Sequence, residues 1–274
     1  DTSSVGTITN SGTITASADD SNAYGIYIDY NSTVDTITNS GTITASADST
    51  DAYGIKIESA SSVGTLTNSG LISASAVTGA YGIDIHTSTV TTLNNSGTIS
   101  VNATATVGSS SSMTGIHVFS TSSVNNLINS GLISLSISGV VETSFQKAGA
   151  IRVSDASTVT TLTNSGTISL VSEATHSTGV LSGINVQDTS SHIVTLNNLG
   201  IISVTADNSA NGIRVATGGI ITTLTNSGSI DAYGSGAYDI KNDSGVITTF
   251  NNQQTGLTYS GTLPDNYTTI IDDS

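Results

Sequence analysis

Titratable residues are scarce in this chain of 274 residues, yet several recur at one position of a repeat that runs through it. Each stands directly after the isoleucine of a Gly-Ile pair, in which alanine or aspartate twice replaces the glycine. The residues at this position are Tyr27, Lys56, Asp84, His117, Arg152, Asn185, Arg214 and Lys241. Four of the five basic residues fall in this set, which we call the charged column. Two readings are open: the side chains neutralise carboxylates such as Asp29, Glu58 and Asp188, or they form a groove that binds an anionic glycan or an acidic protein surface.

Composition excludes several classes of function. The formal net charge is −15 and only five residues are basic, so we predict no binding to nucleic acid or to an anionic membrane surface. The absence of cysteine excludes disulfides and thiolate metal sites. No apolar run approaches the roughly 18 residues of a membrane span. We predict no cofactor and no bound metal.

A repeated Asn-Ser-Gly turn sets the elements that must position the charged column. Its glycines stand 27 to 35 residues apart, and a recurring unit of this size is typical of a solenoid. Between the turns, β-branched residues alternate with polar ones at 34–38, 42–47 and 53–57, which predicts three strands per repeat. We therefore predict an all-β fold, a right-handed parallel β-helix of about nine coils. In the turn, glycine permits the positive φ that tight turns often need.

The repeat also predicts how the chain is divided. Repeats occupy residues 1–256, and the pattern changes after them. Residues 257–274 are expected to begin a C-terminal cap or junction, because the end of a solenoid exposes a sheet edge and an apolar core. The sequence starts inside a repeat at Asp1, so we expect it to be a fragment of a longer protein.

Two further columns are predicted to be structural. Asparagine stands two residues before the glycine at Asn10, Asn39, Asn68, Asn95, Asn129, Asn164, Asn198 and Asn226. In register, these amides can hydrogen-bond from coil to coil and satisfy polar groups at a tight corner. Tyr24, Tyr53 and Tyr81 form a shorter column with the same parity as the inward isoleucines. We predict that they stack as an aromatic corner rather than form an exposed carbohydrate platform.

Variation in repeat length is confined to the loop between the second and third strands. The longer loops lie in three consecutive coils, at 106–113, 139–147 and 172–181, and would stack into one lip. Loops on one side of a rigid scaffold often carry function. The candidate lip residues are Met113, Val140, Val141, Phe145, Lys147, Val180 and Leu181. The other reading is that they extend the second strand and pack on one another.

Two other functions are weighed against binding. The first is a polysaccharide-degrading β-helix enzyme, a lyase or a hydrolase. Hydrolysis would need two carboxylates that face each other. Asp84 is the only carboxylate among the central positions of the charged column, and His86 and His117 are near it. No serine nucleophile motif is found, so we predict no enzyme. The second is an ice-binding face built from Thr-x-Thr pairs of the first strand. That pattern fails at 126–128.

The repeated T-[IL]-T-N-S-G-T-I, followed by [AY]-G-I-x-[IV], resembles the passenger domains of bacterial type V autotransporters, especially adhesin-like ones. The motif G-T-L-P-x-N-Y-x-x-I-I at 261–271 looks like the junction toward the outer-membrane barrel of that family. The resemblance covers essentially the whole chain.

The resemblance implies an extracellular protein on the bacterial surface, attached to the outer membrane or released, whose membrane contact is made only through such a barrel. It implies adhesion to a host or bacterial cell surface, through glycan or protein, or self-association of identical chains, as in biofilms. A passive stalk is the remaining alternative.

Overall fold

The computed structural model describes residues 3–105, 112–139, 147–173 and 180–269. Within these ranges the chain winds through three sheets, and each strand pairs in parallel with the equivalent strands one coil before and after it. The prediction of a right-handed parallel β-helix with three strands per coil is confirmed. The described residues contain no helix long and apolar enough to cross a membrane.

The first strand of each coil belongs to sheet 1, the second to sheet 2 and the third to sheet 3. Sheet 1 consists of β1 (Ser4–Asn10), β4 (Thr33–Asn39), β7 (Ser62–Asn68), β10 (Thr89–Asn95), β13 (Ser123–Asn129), β16 (Thr158–Asn164), β19 (His192–Asn198), β22 (Ile220–Asn226), β25 (Val246–Asn252) and β27 (Asn266–Thr269). Sheet 2 consists of β2 (Thr13–Ala18), β5 (Thr42–Ala47), β8 (Leu71–Ala76), β11 (Thr98–Ala105), β14 (Leu132–Gly139), β17 (Thr167–Ser172), β20 (Ile201–Asn208) and β23 (Ser229–Ser235). Sheet 3 consists of β3 (Ala23–Ile28), β6 (Asp51–Ile57), β9 (Gly79–His86), β12 (Ser112–Phe119), β15 (Lys147–Val153), β18 (Leu181–Gln187), β21 (Ala210–Ala216), β24 (Tyr238–Asp243) and β26 (Tyr259–Ser260).

The interior contains two apolar clusters that run along the solenoid axis. The main cluster holds the inward isoleucines, valines and leucines of all three sheets, such as Ile37, Ile43 and Ile55, and its buried members are almost completely hidden from solvent. The second cluster lies between the end of sheet 2 and the start of sheet 3. In the early coils it is built mainly from alanines, whereas coils four to six also use larger residues, among them Met113 and Leu181.

A glycine column separates the two clusters. A Cβ on Gly82 would overlap a methyl group of Ile99 and lie 2.6 Å from the carbonyl oxygen of Gly115. The backbone of sheet 3 therefore approaches sheet 2 closely at this point. The residues on either side of the glycine do not follow simple alternation: Ala80 and Ile83, three positions apart, are both buried in the apolar clusters, while Tyr81 is partly exposed.

The Asn-Ser-Gly turn keeps its glycine for a reason other than the one expected from sequence. None of the glycines in the seven Asn-Ser-Gly turns has a positive φ. The glycines instead stack with almost no space between coils: a Cβ on Gly97 would overlap the carbonyl oxygen of Gly70 and lie 2.6 Å from the carbonyl carbon of Ser69. The expectation of a positive-φ turn was wrong, because the constraint is close contact with the coil before it.

Positive φ occurs at the other corner, between sheet 3 and sheet 1, on residues that are not glycine, such as Ser59 and Ala60. Buried serines support this corner. The hydroxyl of Ser88 accepts a hydrogen bond of 3.2 Å from the Ser61 backbone, and the hydroxyl of Ser122 accepts one of 3.1 Å from the Ser88 backbone. Backbone amides that the bend frees are thereby satisfied from the next coil.

The last described residues continue two of the three sheets. Strand β26 pairs with β24, and β27 pairs with β25. Sheet 2 ends differently, since the side-chain amide of Gln254 accepts a hydrogen bond from the Ile230 backbone nitrogen (2.7 Å) and donates one to its carbonyl oxygen (2.9 Å). One side chain thus replaces a pairing strand at the edge of β23. Residues 270–274 of the predicted cap segment lie outside the described residues.

Candidate functional site

The charged column occupies one in-register row on sheet 3. Consecutive members are direct partners from β3 to β24, for example Lys56 with Asp84, Asp84 with His117 and His117 with Arg152. The row faces away from the main cluster. Its central members are nevertheless buried: Asp84 and His117 are each 5% exposed, Arg152 is 7% exposed and Asn185 is fully buried. The column is therefore a recessed floor rather than an open face.

The tyrosine column lies beside the charged column and not inside the solenoid. The alternation is interrupted at the glycine column and the three tyrosines belong to neither apolar cluster, so the prediction that Tyr24, Tyr53 and Tyr81 share the direction of the inward isoleucines was wrong. The rings do stack, with centroids 5.2 Å apart for Tyr24 and Tyr53 and 4.9 Å apart for Tyr53 and Tyr81. His117 continues the stack at 5.8 Å from Tyr81, and Phe119 lies 5.0 Å beyond His117.

The two rows border a cleft of about 350 Å³, which we call the column cleft. Its lining residues are Tyr53, Lys56, Tyr81, Asp84, His86, Ser112, His117, Phe119 and Arg152. This volume is within the range of small-molecule sites. The sequence reasoning did not include Phe119 and Ser112. Strand alternation could have identified Phe119, since it stands two residues after His117 and therefore on the same face.

Most cations of the charged column have partners. Lys56 Nζ lies 2.8 Å from a carboxylate oxygen of Glu58 and 4.5 Å from the centroid of the Tyr53 ring. Arg214 lies 2.7 Å from Asp243. Lys241 lies 6.0 Å from the centroid of the Tyr238 ring. Sequence reasoning named Glu58 as a neutralising carboxylate but missed Asp243.

Arg152 is the exception. The part of the chain that the structure describes offers its guanidinium no hydrogen bond and no ion pair, and its Nε is buried without any partner. Burial lowers the pKa of Arg152, while Tyr81, Asp188 and Asp84 oppose that shift electrostatically. These groups act without forming an ion pair within 4.0 Å. The cation in the cleft floor therefore keeps unused hydrogen-bonding capacity.

Asp84, His117 and Ser154 form a hydrogen-bonded chain under the cleft. His117 Nδ1 lies 2.9 Å from Asp84 Oδ1, and His117 Nε2 lies 3.4 Å from Ser154 Oγ. Burial lowers the pKa of His117 and outweighs the opposing effect of Asp84, so the ring is neutral near pH 7, donates from Nδ1 and accepts at Nε2. Ser154 is fully buried, and its hydroxyl cannot reach a substrate in this conformation. Carboxylate, imidazole and hydroxyl follow one another as in a serine hydrolase, but here the hydroxyl is not accessible to a substrate.

The eight predicted asparagines lie in one buried ladder. Each side-chain amide donates to the side-chain oxygen of the next asparagine at 2.7–2.8 Å, and Asn252 extends the series by one member. Each of the eight amides also bonds to a residue of the following coil, as in the 3.3 Å contact from Asn129 to the Thr167 carbonyl. These side chains are not available to a ligand.

The proposed lip is only partly described. Met113 and Leu181 are fully buried in the second cluster, so the prediction that they protrude was wrong: both side chains belong to the apolar interior. Val180 is partly exposed. Val140, Val141 and Phe145 lie outside the described residues, as does the side chain of Lys147.

Sheet 1 carries a separate, uncharged row on its outer face. Its in-register members are Thr7, Thr36, Thr65, Thr92, Asn126, Thr161, Thr195, Thr223 and Thr249. The neighbouring row is less regular and includes Ile128, Asn94 and Asn197. The interruption expected at 126–128 therefore lies in the middle of this face.

Comparisons with known proteins yield no identification. No family model matches the sequence, and no curated protein and no solved structure matches it. Within the described residues, no group of three or more histidine, aspartate and glutamate side chains is arranged to hold a metal ion.

Proposed function

We propose that this chain is a non-catalytic adhesion module, displayed on a bacterial surface, and that it contacts its partner through the column cleft. The observation that carries the proposal is the recessed cation Arg152, which has no partner among the described residues and lines a cleft on sheet 3. A rigid solenoid holds such a site without reorganisation on binding. The resemblance of the repeat to autotransporter passengers supports surface display.

The composition of the cleft favours binding over catalysis. Asp84 is the only carboxylate among its described lining residues, whereas glycoside hydrolysis commonly uses two. The serine in the histidine chain is fully buried. A degradative enzyme remains the alternative class, and release of reducing ends from acidic polysaccharides by the purified chain would support it instead.

A blocking substitution tests the proposed function. Ser112→Tyr adds bulk at the edge of the cleft, and Ser75→Tyr makes the same change at an exposed position of β8 in sheet 2. Beads coated with each variant are scored for attachment to bacterial and host cells. We expect attachment by the unmodified chain and by Ser75→Tyr, and its loss in Ser112→Tyr. Equal attachment by both variants would contradict the proposal that the cleft contacts the partner.

Self-association is a second candidate, because the uncharged threonine row of sheet 1 gives identical chains a long, regular surface to share. Thr65→Lys and Thr195→Lys together would place repelling charges on that face. Sedimentation at rising concentration should show the unmodified chain forming dimers or larger species and the double variant remaining monomeric. A monomeric unmodified chain over the whole range would refute this candidate.

A further inference from the structure

We propose that Arg152 receives the carboxylate of an acidic sugar, a residue of the hexuronate type, in the column cleft. This inference rests on the proposed binding function and names the ligand. It narrows the charged column to Arg152, because Lys56 and Arg214 already have carboxylate partners at 2.8 and 2.7 Å and Lys241 is not among the residues that line the cleft.

The burial of Arg152 is the first argument. Arg152 is only 7% exposed as a residue, its Nε is buried without a described partner, and an unpaired buried charge is costly. Arginine presents a planar fork of N–H donors that matches both oxygens of a carboxylate. An anion that enters the cleft would supply the hydrogen bonds that the described protein groups do not provide.

The charges around Arg152 limit the ligand to one negative charge. Lys56 is paired with Glu58, and Asp84 lines the cleft beside His117, whose pKa burial lowers. The Asp84 carboxylate would repel a doubly charged phosphate more strongly than a monocarboxylate. The site therefore fits a ligand that brings a single carboxylate.

The remaining lining groups fit the hydroxyls of a sugar. Tyr81, Ser112 and His86 place hydroxyl and imidazole groups around the cleft, and these groups can both donate and accept hydrogen bonds. Phe119 adds an apolar wall that can cover the C–H face of a sugar ring. An acidic peptide would offer the carboxylate but not the ring of hydroxyls, so we favour the saccharide.

Calorimetric titration of the whole chain tests the assignment. The probes are a galacturonate trisaccharide, its methyl ester, inorganic phosphate and a hexaglutamate peptide. We expect binding of the acidic trisaccharide and at least tenfold weaker binding of the other three. An ester or phosphate that binds as tightly as the acid, or a peptide that binds more tightly, would overturn the assignment, as would no detectable binding of the acid. The comparison of acid with ester requires no variant and so does not depend on refolding.

Substitutions then locate the receptor. Charged hydrogen bonds of this kind correspond to about a 10- to 100-fold loss in Arg152→Gln. Arg152→Lys should recover only part of that loss, because an ammonium cannot make the paired contact. Arg214→Gln, from the same row, should bind normally. Unchanged binding by Arg152→Gln would overturn the proposal.

The two proposals can fail separately. If Ser112→Tyr abolishes cell attachment while no acidic sugar binds, the ligand is wrong and the adhesion site stands. If acidic sugar binds through Arg152 and cells do not attach, the ligand stands and the adhesive function fails.

Discussion

Replacing Gly97 with alanine tests whether contact between successive coils explains the glycine in each Asn-Ser-Gly turn. A Cβ at this position would overlap the Gly70 carbonyl oxygen. The obstacle is backbone and not a flexible side chain, so the strands must separate locally. The matched control is Gly12→Ala, which makes the same change at the same repeat position in the first coil, where a Cβ would meet nothing within 4 Å.

The expected magnitude follows from the contacts around Gly97. Its own amide donates to the Asn68 carbonyl at 3.0 Å, and the Thr98 amide donates to the Gly70 carbonyl at 2.8 Å. Weakening two such bonds costs about 2 kcal/mol, and overpacking adds about 1–3 kcal/mol. We therefore expect Gly97→Ala to lower the free energy of unfolding by about 3–5 kcal/mol. Gly12→Ala should be neutral or stabilising by about 0.4–1 kcal/mol, since alanine restricts the unfolded chain.

The assay is urea unfolding followed by the far-ultraviolet circular dichroism of the β-sheets. Denaturation midpoints are compared, because solenoids need not unfold in two states. A large downward shift for Gly97→Ala beside an unchanged midpoint for Gly12→Ala would support coil contact as the cause. Equal shifts for both would refute it, because the two positions share their local sequence and differ in the coil beneath them.

Three further predictions concern the ladder, the buried histidine and the second cluster. Asn129→Ala leaves the side-chain oxygen of Asn164 buried without its donor and removes the hydrogen bond from Asn95. The free energy of unfolding measured in urea should therefore fall by about 2–4 kcal/mol, and a decrease below about 0.5 kcal/mol would contradict the structural role of the ladder. Because burial holds the pKa of His117 below its ordinary value of 6.5, the folded chain resists protonation, and its melting temperature should fall as the pH drops below about 6.5. His117→Gln should flatten that dependence in part, because the pKa of His192 is also lowered by burial and acts in the same direction. An unchanged pH profile in His117→Gln would contradict this prediction. Met113→Ala should lower the free energy of unfolding by about 2–5 kcal/mol, because it leaves a cavity in the buried second cluster. Unchanged stability together with lost adhesion would instead support the reading of Met113 as part of a protruding, binding lip.

The repeat made the fold predictable because it repeats the same physical solution in every coil. Alternating apolar residues define which side of each strand is buried, and Asn39 and its equivalents mark the corner that needs an internal hydrogen-bond partner. Both signals are local in sequence. The number of strands per coil and their parallel pairing follow from them.

The candidate site was less predictable because it depends on how neighbouring coils approach one another. Simple alternation placed Tyr81 inward, whereas the alternation is interrupted at the closely packed Gly82 and Tyr81 lines the outer cleft. The alignment of Asp84 with His117 followed from the period, but their burial and the isolation of Arg152 depend on the depth of the cleft. The depth of the cleft depends on the packing between coils and does not produce a periodic pattern in the sequence.

The most direct test of the binding account is a crystal structure of the chain grown with the acidic trisaccharide. The account predicts the sugar in the column cleft with both carboxylate oxygens within hydrogen-bond distance of the Arg152 guanidinium. A sugar bound elsewhere, or an empty cleft in which Arg152 is paired with Asp188 or another carboxylate of its own chain, would contradict it.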